Sequence, residues 1–339
     1  MNRNWLKIAF IYVGTVIGAG FASGREIIEF FGAYGLKGII GMVVSGILFS
    51  LLGGLLLVKI YSNKIAGFDD LVWRAFGDRL GKVLDAVMIV SLYTGFSVMV
   101  SGSGAIFKEE FGLSFDLGMI VMMASSFMIF LFRLKGLSFI NSVLVPLLIL
   151  GIVFTAFYLI LGEGSNFYSH DMGTNLTHKG NFLTSSLLYV GSNSLIIITV
   201  FSSLLPMMDS KRTAVLGGVA GGIILYLLGL AILSIMLLYY PEVAAMDIPM
   251  LRISNHIGSF YRKFYAIILW IAVFTTAIAN GSSFINRFSN SRYKTLIAAA
   301  FCISSFPLAK LGFAKLVSLI YPIFGVIGFS VLIVVLIML

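Results

Sequence analysis

The stretch VGTVIGAGFASGREIIEFF, residues 13–31, decides how the rest of the chain is read. A helix in lipid must satisfy its own backbone, and unbroken Leu, Ile and Val serve that end best. This segment instead carries Gly14, Gly18, Gly20 and Gly24, with Thr15 and Ser23 among them. Three physical readings compete: a cleavage zone behind a signal peptide, a close helix-packing face, or a binding site made of unwound backbone. MNRNWLK is a charged lead-in, and GAGFASG has the small residues of a cleavage zone. The apolar run nevertheless continues past the glycines, as a spanning helix does and a signal peptide does not. Small residues also let helices approach closely, so packing remains open for each glycine taken singly.

Working outward, 59% of the 339 residues are hydrophobic and 11% are charged. No water-soluble core needs so much apolar sequence, so the chain reads as an all-α, polytopic membrane protein whose partner is the lipid bilayer. Apolar runs give about ten spans, near 5–31, 36–60, 82–106, 116–133, 138–162, 182–207, 213–240, 260–284, 294–309 and 313–338. Polar connectors fall at 62–81, 163–181 and 241–259. The net charge of +9 is carried by loop lysines and arginines suited to anionic lipid, and no nucleic-acid partner is read from it. With the N-terminus inside, fourteen Lys and Arg fall on the cytoplasmic side and nine on the other, which favours cytoplasmic N- and C-termini. Cys302 is the single cysteine, so no intrachain disulfide forms, and His170, His178 and His256 lack metal-ligand spacing.

If the glycines of residues 13–31 mark a broken helix, an inverted-repeat transporter predicts a second break at the start of its second half. The sixth span, FLTSSLLYVGSNSLIIITVFSSLL (182–205), carries Gly191, Ser192, Asn193 and Ser194 at its centre, and Ser192 lies 172 positions after Gly20. The reading divides the chain into a first five-helix repeat at 1–162, a connecting loop at 163–181 outside the cell, and a second repeat at 182–339. Breaking a helix exposes N–H groups on one side and C=O groups on the other. At membrane depth these must line a cavity or meet a ligand. Amides near Gly20, Phe21 and Ala22 suit a carboxylate, with Gly18 and Ser23 as further solute-site residues beside them. Carbonyls around Tyr189 and Gly191, with Ser192 and Asn193, suit an ammonium group or cation. A zwitterionic small molecule fits such a site without any buried charged side chain.

The pattern V-G-T-V-I-G-A-G-F-A-S-G resembles the first helix of the amino acid–polyamine–cation (APC) superfamily, with further likeness in spans six and eight. The nearest branch is the YkvI-like group of bacterial proteins, expected to be amino acid permeases. The resemblance implies the LeuT-type 5+5 inverted-repeat fold, with discontinuous helices 1 and 6. It also implies no cofactor beyond a sodium coupling ion, caged by the carbonyls of Gly14, Ile17 and Ala272 and the hydroxyls of Thr275 and Thr276. Ala272 and Thr275 are three apart, so their oxygens converge on one helix face. The plainer alternative is that both threonines bond back to carbonyls one turn earlier.

Proton coupling is the rival, because it needs a titratable group inside the membrane. Arg25 and Glu26 follow the break as gating or proton candidates, or as an interfacial pair in an outer vestibule. Tyr93 of span three reaches the solute or is a core residue with a satisfied hydroxyl. The spans lack the paired acids, histidines and HExxH pattern of an intramembrane enzyme, and no nucleotide-binding P-loop occurs. The expected function is secondary transport of an amino acid or similar solute, with no obligatory protein partner. A solute sensor of the same fold stands beside it.

Overall fold

The computed structural model describes residues 3–132, 137–163, 180–288 and 293–339. The 163–181 connector, with His170 and His178, therefore lies almost wholly outside the described residues. The first span is three helices in series: α1 (Asn4–Val16), α2 (Ala19–Ala22) and α3 (Arg25–Phe30). The following helices are α4 (Leu36–Asn63), α5 (Phe68–Phe111), α6 (Phe115–Phe132), α7 (Leu137–Glu163), α8 (Phe182–Ser202) and α9 (Lys211–Leu238). Short α10 (Tyr240–Val243) and α11 (Pro249–Ser254) occupy the next loop, before α12 (Ser259–Asn286), α13 (Lys294–Ala309) and α14 (Phe313–Met338). Among the described residues, seven helices are long and apolar enough to cross a membrane and two apolar helices are shorter. With the segmented first span these make the ten expected.

Packing follows position in each half of the chain. The second span, α4, packs on the seventh, α9; the third, α5, on the eighth, α12; and the fourth, α6, on the ninth, α13. Glycine makes the first of these contacts close. A Cβ on Gly218 would overlap the backbone of Gly53 and Gly54, and one on Gly222 would strike Ser50. In lipid the association of such faces rests on van der Waals fit, because the tails are as apolar as the side chains. α1 lies along α9, and α8 is held between α4 and α14.

The break in the first span occurs where the sequence places it. Ile17 takes ψ 84° and Gly18 is extended at φ −101°, ψ −172°, so the helical path stops at Val16 and restarts at Ala19. A second interruption follows at Gly24, whose φ of 78° is left-handed. A side chain there would be strained, and its Cβ would also meet Met236.

The expected break in helix 6 is absent: α8 runs unbroken from Phe182 to Ser202. The Ser192 hydroxyl and the Asn193 amide both donate to the Tyr189 carbonyl, at 2.8 and 3.1 Å, so they are satisfied within a continuous helix where they were expected to interrupt it. A Cβ on Gly191 would overlap the Gly325 carbonyl of α14, and one on Gly328 would overlap the Gly191 carbonyl. These glycines permit a close helix crossing.

Candidate functional site

At the break, backbone groups are left over on both sides. Among the described residues no main-chain amide donates to the carbonyls of Gly14, Thr15 or Ile17. Ile17 N–H returns to Val13 and Gly18 N–H to Val16, both at 2.8 Å. Beyond the break, the amides of Ala19, Gly20 and Phe21 donate to no main-chain carbonyl, whereas Ala22 N–H donates to Gly18 at 3.0 Å. Ala22 and Ser23 are thus part of the restarted turn, and the Ser23 hydroxyl donates to the Gly20 carbonyl at 2.7 Å. Around Gly18 there is open space, with nothing within 4 Å of an added Cβ. Phe21 is fully buried.

Gly20 is occupied from within the protein. The Glu26 carboxyl folds back onto it so closely that a Cβ at Gly20 would overlap the carboxyl oxygen. Glu26 is 5% exposed and Arg25 8%, so neither belongs to a solvated vestibule pair as one sequence reading had it. Arg25 pairs with Glu29 at 2.8 Å and donates to the carbonyls of Ala244 and Met246 at 3.0 Å each. The Tyr321 hydroxyl of α14 is hydrogen-bonded to Glu26. Tyr189 of α8 faces both, and among the described residues its own buried hydroxyl has no partner. The Tyr189 ring packs among Phe30, Phe31 and Phe49.

The loop between α9 and α12 is fastened over this end of the first span. Besides the two carbonyls held by Arg25, Met250 N–H donates to the Ser23 carbonyl at 3.0 Å. Asp247 joins the loop to the scaffold: its amide donates to the Glu109 carboxylate at 3.0 Å, and its carboxylate accepts from Ala314 N–H at 2.7 Å. Arg262 at the start of α12 pairs with Glu110 at 2.6 Å. The first span is thus sealed on the loop side, while the half-buried Gly14, Thr15 and Gly18 lie toward the opposite side.

The structure brings α12 to the break through α2, where Tyr265 donates to the Ala22 carbonyl at 2.7 Å. α1 itself packs chiefly on α9 and α8, and the side chain nearest an added Cβ at Gly14 is Val145 of α7. Both threonines bond back: the Thr275 and Thr276 hydroxyls donate to the Ala272 carbonyl at 3.1 and 2.8 Å. Each hydroxyl oxygen keeps lone pairs for a cation. Among the described residues no group of three His, Cys, Asp or Glu converges, so the ion expected here would be held by neutral oxygens.

Other expected site residues lie elsewhere. The Tyr93 hydroxyl donates to the Ser304 carbonyl of α13 at 2.8 Å and its ring packs on Phe301, so it is a half-buried tyrosine with a satisfied hydroxyl that joins α5 to α13. Gly191 is closed by α14, while Ser192 and Asn193 bond within α8. Sequence reasoning missed Tyr321 and Tyr265. The signal for Tyr321 was a phenol beside Pro322 in YPIFGVIGFSVLIVVLIML, whose only other polar side chain is Ser330.

No protein-family model matches the chain. It is 32% identical over 333 residues to the membrane protein YkvI of Bacillus subtilis (strain 168), covering 96% of this chain and 93% of that one. To YyaD of the same organism it is 24% identical over 333 residues, covering 98% and 96%. Among solved structures, the inward-facing conformation of Mhp1 matches with a TM-score of 0.58 at 13% identity, over 95% of this chain and 72% of that one. The Eremococcus coleocola manganese transporter gives 0.53 at 15%, over 98% and 72%. At those identities the likeness is one of fold. A ten-span course with a broken first helix, and this level of identity along nearly the whole chain, make the protein a member of the YkvI family of membrane proteins, built on the LeuT-type fold of transporters.

Proposed function

We propose that the protein is a secondary transporter of a small solute, an amino acid or related zwitterion, working by alternating access around the break in the first span. The observation that carries this reading is the pairing of free carbonyls at Gly14, Thr15 and Ile17 with free amides at Ala19, Gly20 and Phe21, beside open space at Gly18. At membrane depth such groups are costly unless a ligand or cavity meets them. The fastened loop over Ser23–Arg25 and the half-buried Gly14, Thr15 and Gly18 suit a conformation closed outward and open inward, with both termini cytoplasmic.

Sodium is the coupling ion of this reading, held by the Gly14, Ile17 and Ala272 carbonyls and the Thr275 and Thr276 hydroxyls. Support comes from the Gly14 and Ile17 carbonyls, which lack main-chain donors, and from the contact of α12 with α2 just beyond the break. The test is uptake into proteoliposomes from a panel of labelled amino acids, with an inward sodium gradient against choline. Accumulation that collapses in choline is expected; binding without accumulation would identify a sensor. Thr276→Ala should weaken apparent sodium affinity about tenfold or more while melting close to the parent protein. Unchanged sodium affinity in that variant removes the cage as drawn.

A further inference from the structure

We propose that Glu26, with Tyr321 and Tyr189, forms a proton-binding site at the helix break, and that its protonation admits a solute carboxylate to the place beside Gly20. The proton site stands on its own; its link to the solute rests on the transport reading above.

The geometry joins three elements distant in sequence. Glu26 is supplied by α3, Tyr189 by α8 and Tyr321 by α14; the first two are buried, and Tyr321 is half-buried against the same core. Among the described residues no lysine or arginine interacts with Glu26. On its own helix, Arg25 is joined to Glu29 and turned toward the carbonyls of Ala244 and Met246, with Tyr240 beside that pair. On α12, the Tyr265 hydroxyl is committed to Ala22. α9 brings Met236 to neighbouring Gly24. Among the described residues, the groups seen to meet Glu26 are the Tyr321 and Tyr189 phenols and the Gly20 backbone.

An ionised carboxylate without a counter-charge in such a place is far costlier than the neutral acid, so the group takes up a proton. The neutral acid has one O–H to donate and still accepts, and each phenol can do both. Tyr321 accounts for one hydrogen bond to the carboxyl. The Tyr189 hydroxyl, without a partner among the described residues, is a polar atom left over beside it. The step moves one proton from solvent to a Glu26 carboxyl oxygen, with no other bond made or broken.

Coupling follows from position. The Glu26 carboxyl lies against Gly20, whose amide was expected to receive the solute's carboxylate. Ionised, Glu26 repels a second carboxylate there; protonated, it does not. Release also has a route: Pro322 lacks an N–H, so the Ser318 carbonyl loses its helical donor and α14 can bend next to Tyr321.

The experiment is infrared difference spectroscopy of the purified full-length chain in detergent, titrated from acid to alkaline pH. A protonated-carboxyl C=O band that titrates in the parent protein, is lost in Glu26→Gln and moves in Tyr321→Phe is expected. Tyr321→Phe keeps the carboxyl, so the result does not depend on Glu26→Gln folding. Parent and Glu26→Gln spectra with the same carboxyl bands, or a Glu26 band unmoved by Tyr321→Phe, overturn the site. The coupling arm uses the amino acid that the uptake panel identifies. Its affinity should rise about tenfold per unit fall in pH while Glu26 titrates, and be flat in Glu26→Gln. A pH-independent affinity in the parent overturns the coupling. A panel without any substrate instead counts against the transport reading and leaves the infrared result to decide the proton site.

Discussion

The first and sixth spans look alike in composition and behave in opposite ways. Both place glycine and hydroxyl residues at mid-helix, GTVIGAGFASG in one and YVGSNS in the other. In the first span the chain leaves the helix at Ile17 and Gly18, and a Cβ at Gly18 would meet nothing. In the sixth the helix continues, and a Cβ at Gly191 would run into the backbone of Gly325. Glycine has two uses in a membrane helix: it permits non-helical dihedrals, and it permits contact. Only the neighbours tell which use applies. Where α14 presses its backbone against α8, the helix is braced and its hydroxyls turn inward to their own carbonyls. Where α1 gives way to α2, no such brace covers Gly18.

Substitutions can break this comparison. The largest effect is expected for Gly191→Val, because the colliding atom is a backbone carbonyl that cannot rotate away. A loss of about 3 kcal/mol or more is expected from overpacking, read as a fall in melting temperature in detergent. A variant as stable as its parent would mean that α8 and α14 do not cross there. Gly24→Ala comes next. Its left-handed φ costs an L residue about 1–2 kcal/mol, to which the contact with Met236 adds. Tyr265→Phe should lose about 1 kcal/mol by removing the hydrogen bond from α12 to Ala22, and should loosen the register of α2 without disturbing α8.

Gly18→Ala sharpens the contrast by its smallness. Its φ of −101° is open to alanine and its Cβ finds free space, so stability should stay within about 0.5 kcal/mol of the parent. If the space is the solute's, uptake falls nonetheless. A large loss of stability at Gly18 together with a tolerant Gly191 would reverse the assignment of the two glycine runs.

Much of this was legible in the chain. Lipid requires long apolar helices, so span number and position are written in hydropathy. The first break was legible because V-G-T-V-I-G-A-G both loosens the helix and matches a known transporter pattern. For the threonine pair, back-bonding to Ala272 was one of the two readings given, and that is the bonding seen. Tyr93 was not decided, because a phenol on one face of a helix says nothing about which neighbour accepts from it; Ser304 of α13 does. Arg25 and Glu26 were recognised as unusual, yet their burial was not foreseen. It depends on a loop and two helices that arrive from far along the chain.

The sequence by itself determined a membrane protein of ten spans and the point where the first helix gives way, since both rest on local physics: apolar length and glycine dihedral freedom. The tertiary structure alone decided that the sixth span holds together and that Glu26, not open solvent, meets Gly20. Those outcomes rest on which atoms are pressed against a glycine, and helices brought together from opposite ends of the chain supply those atoms.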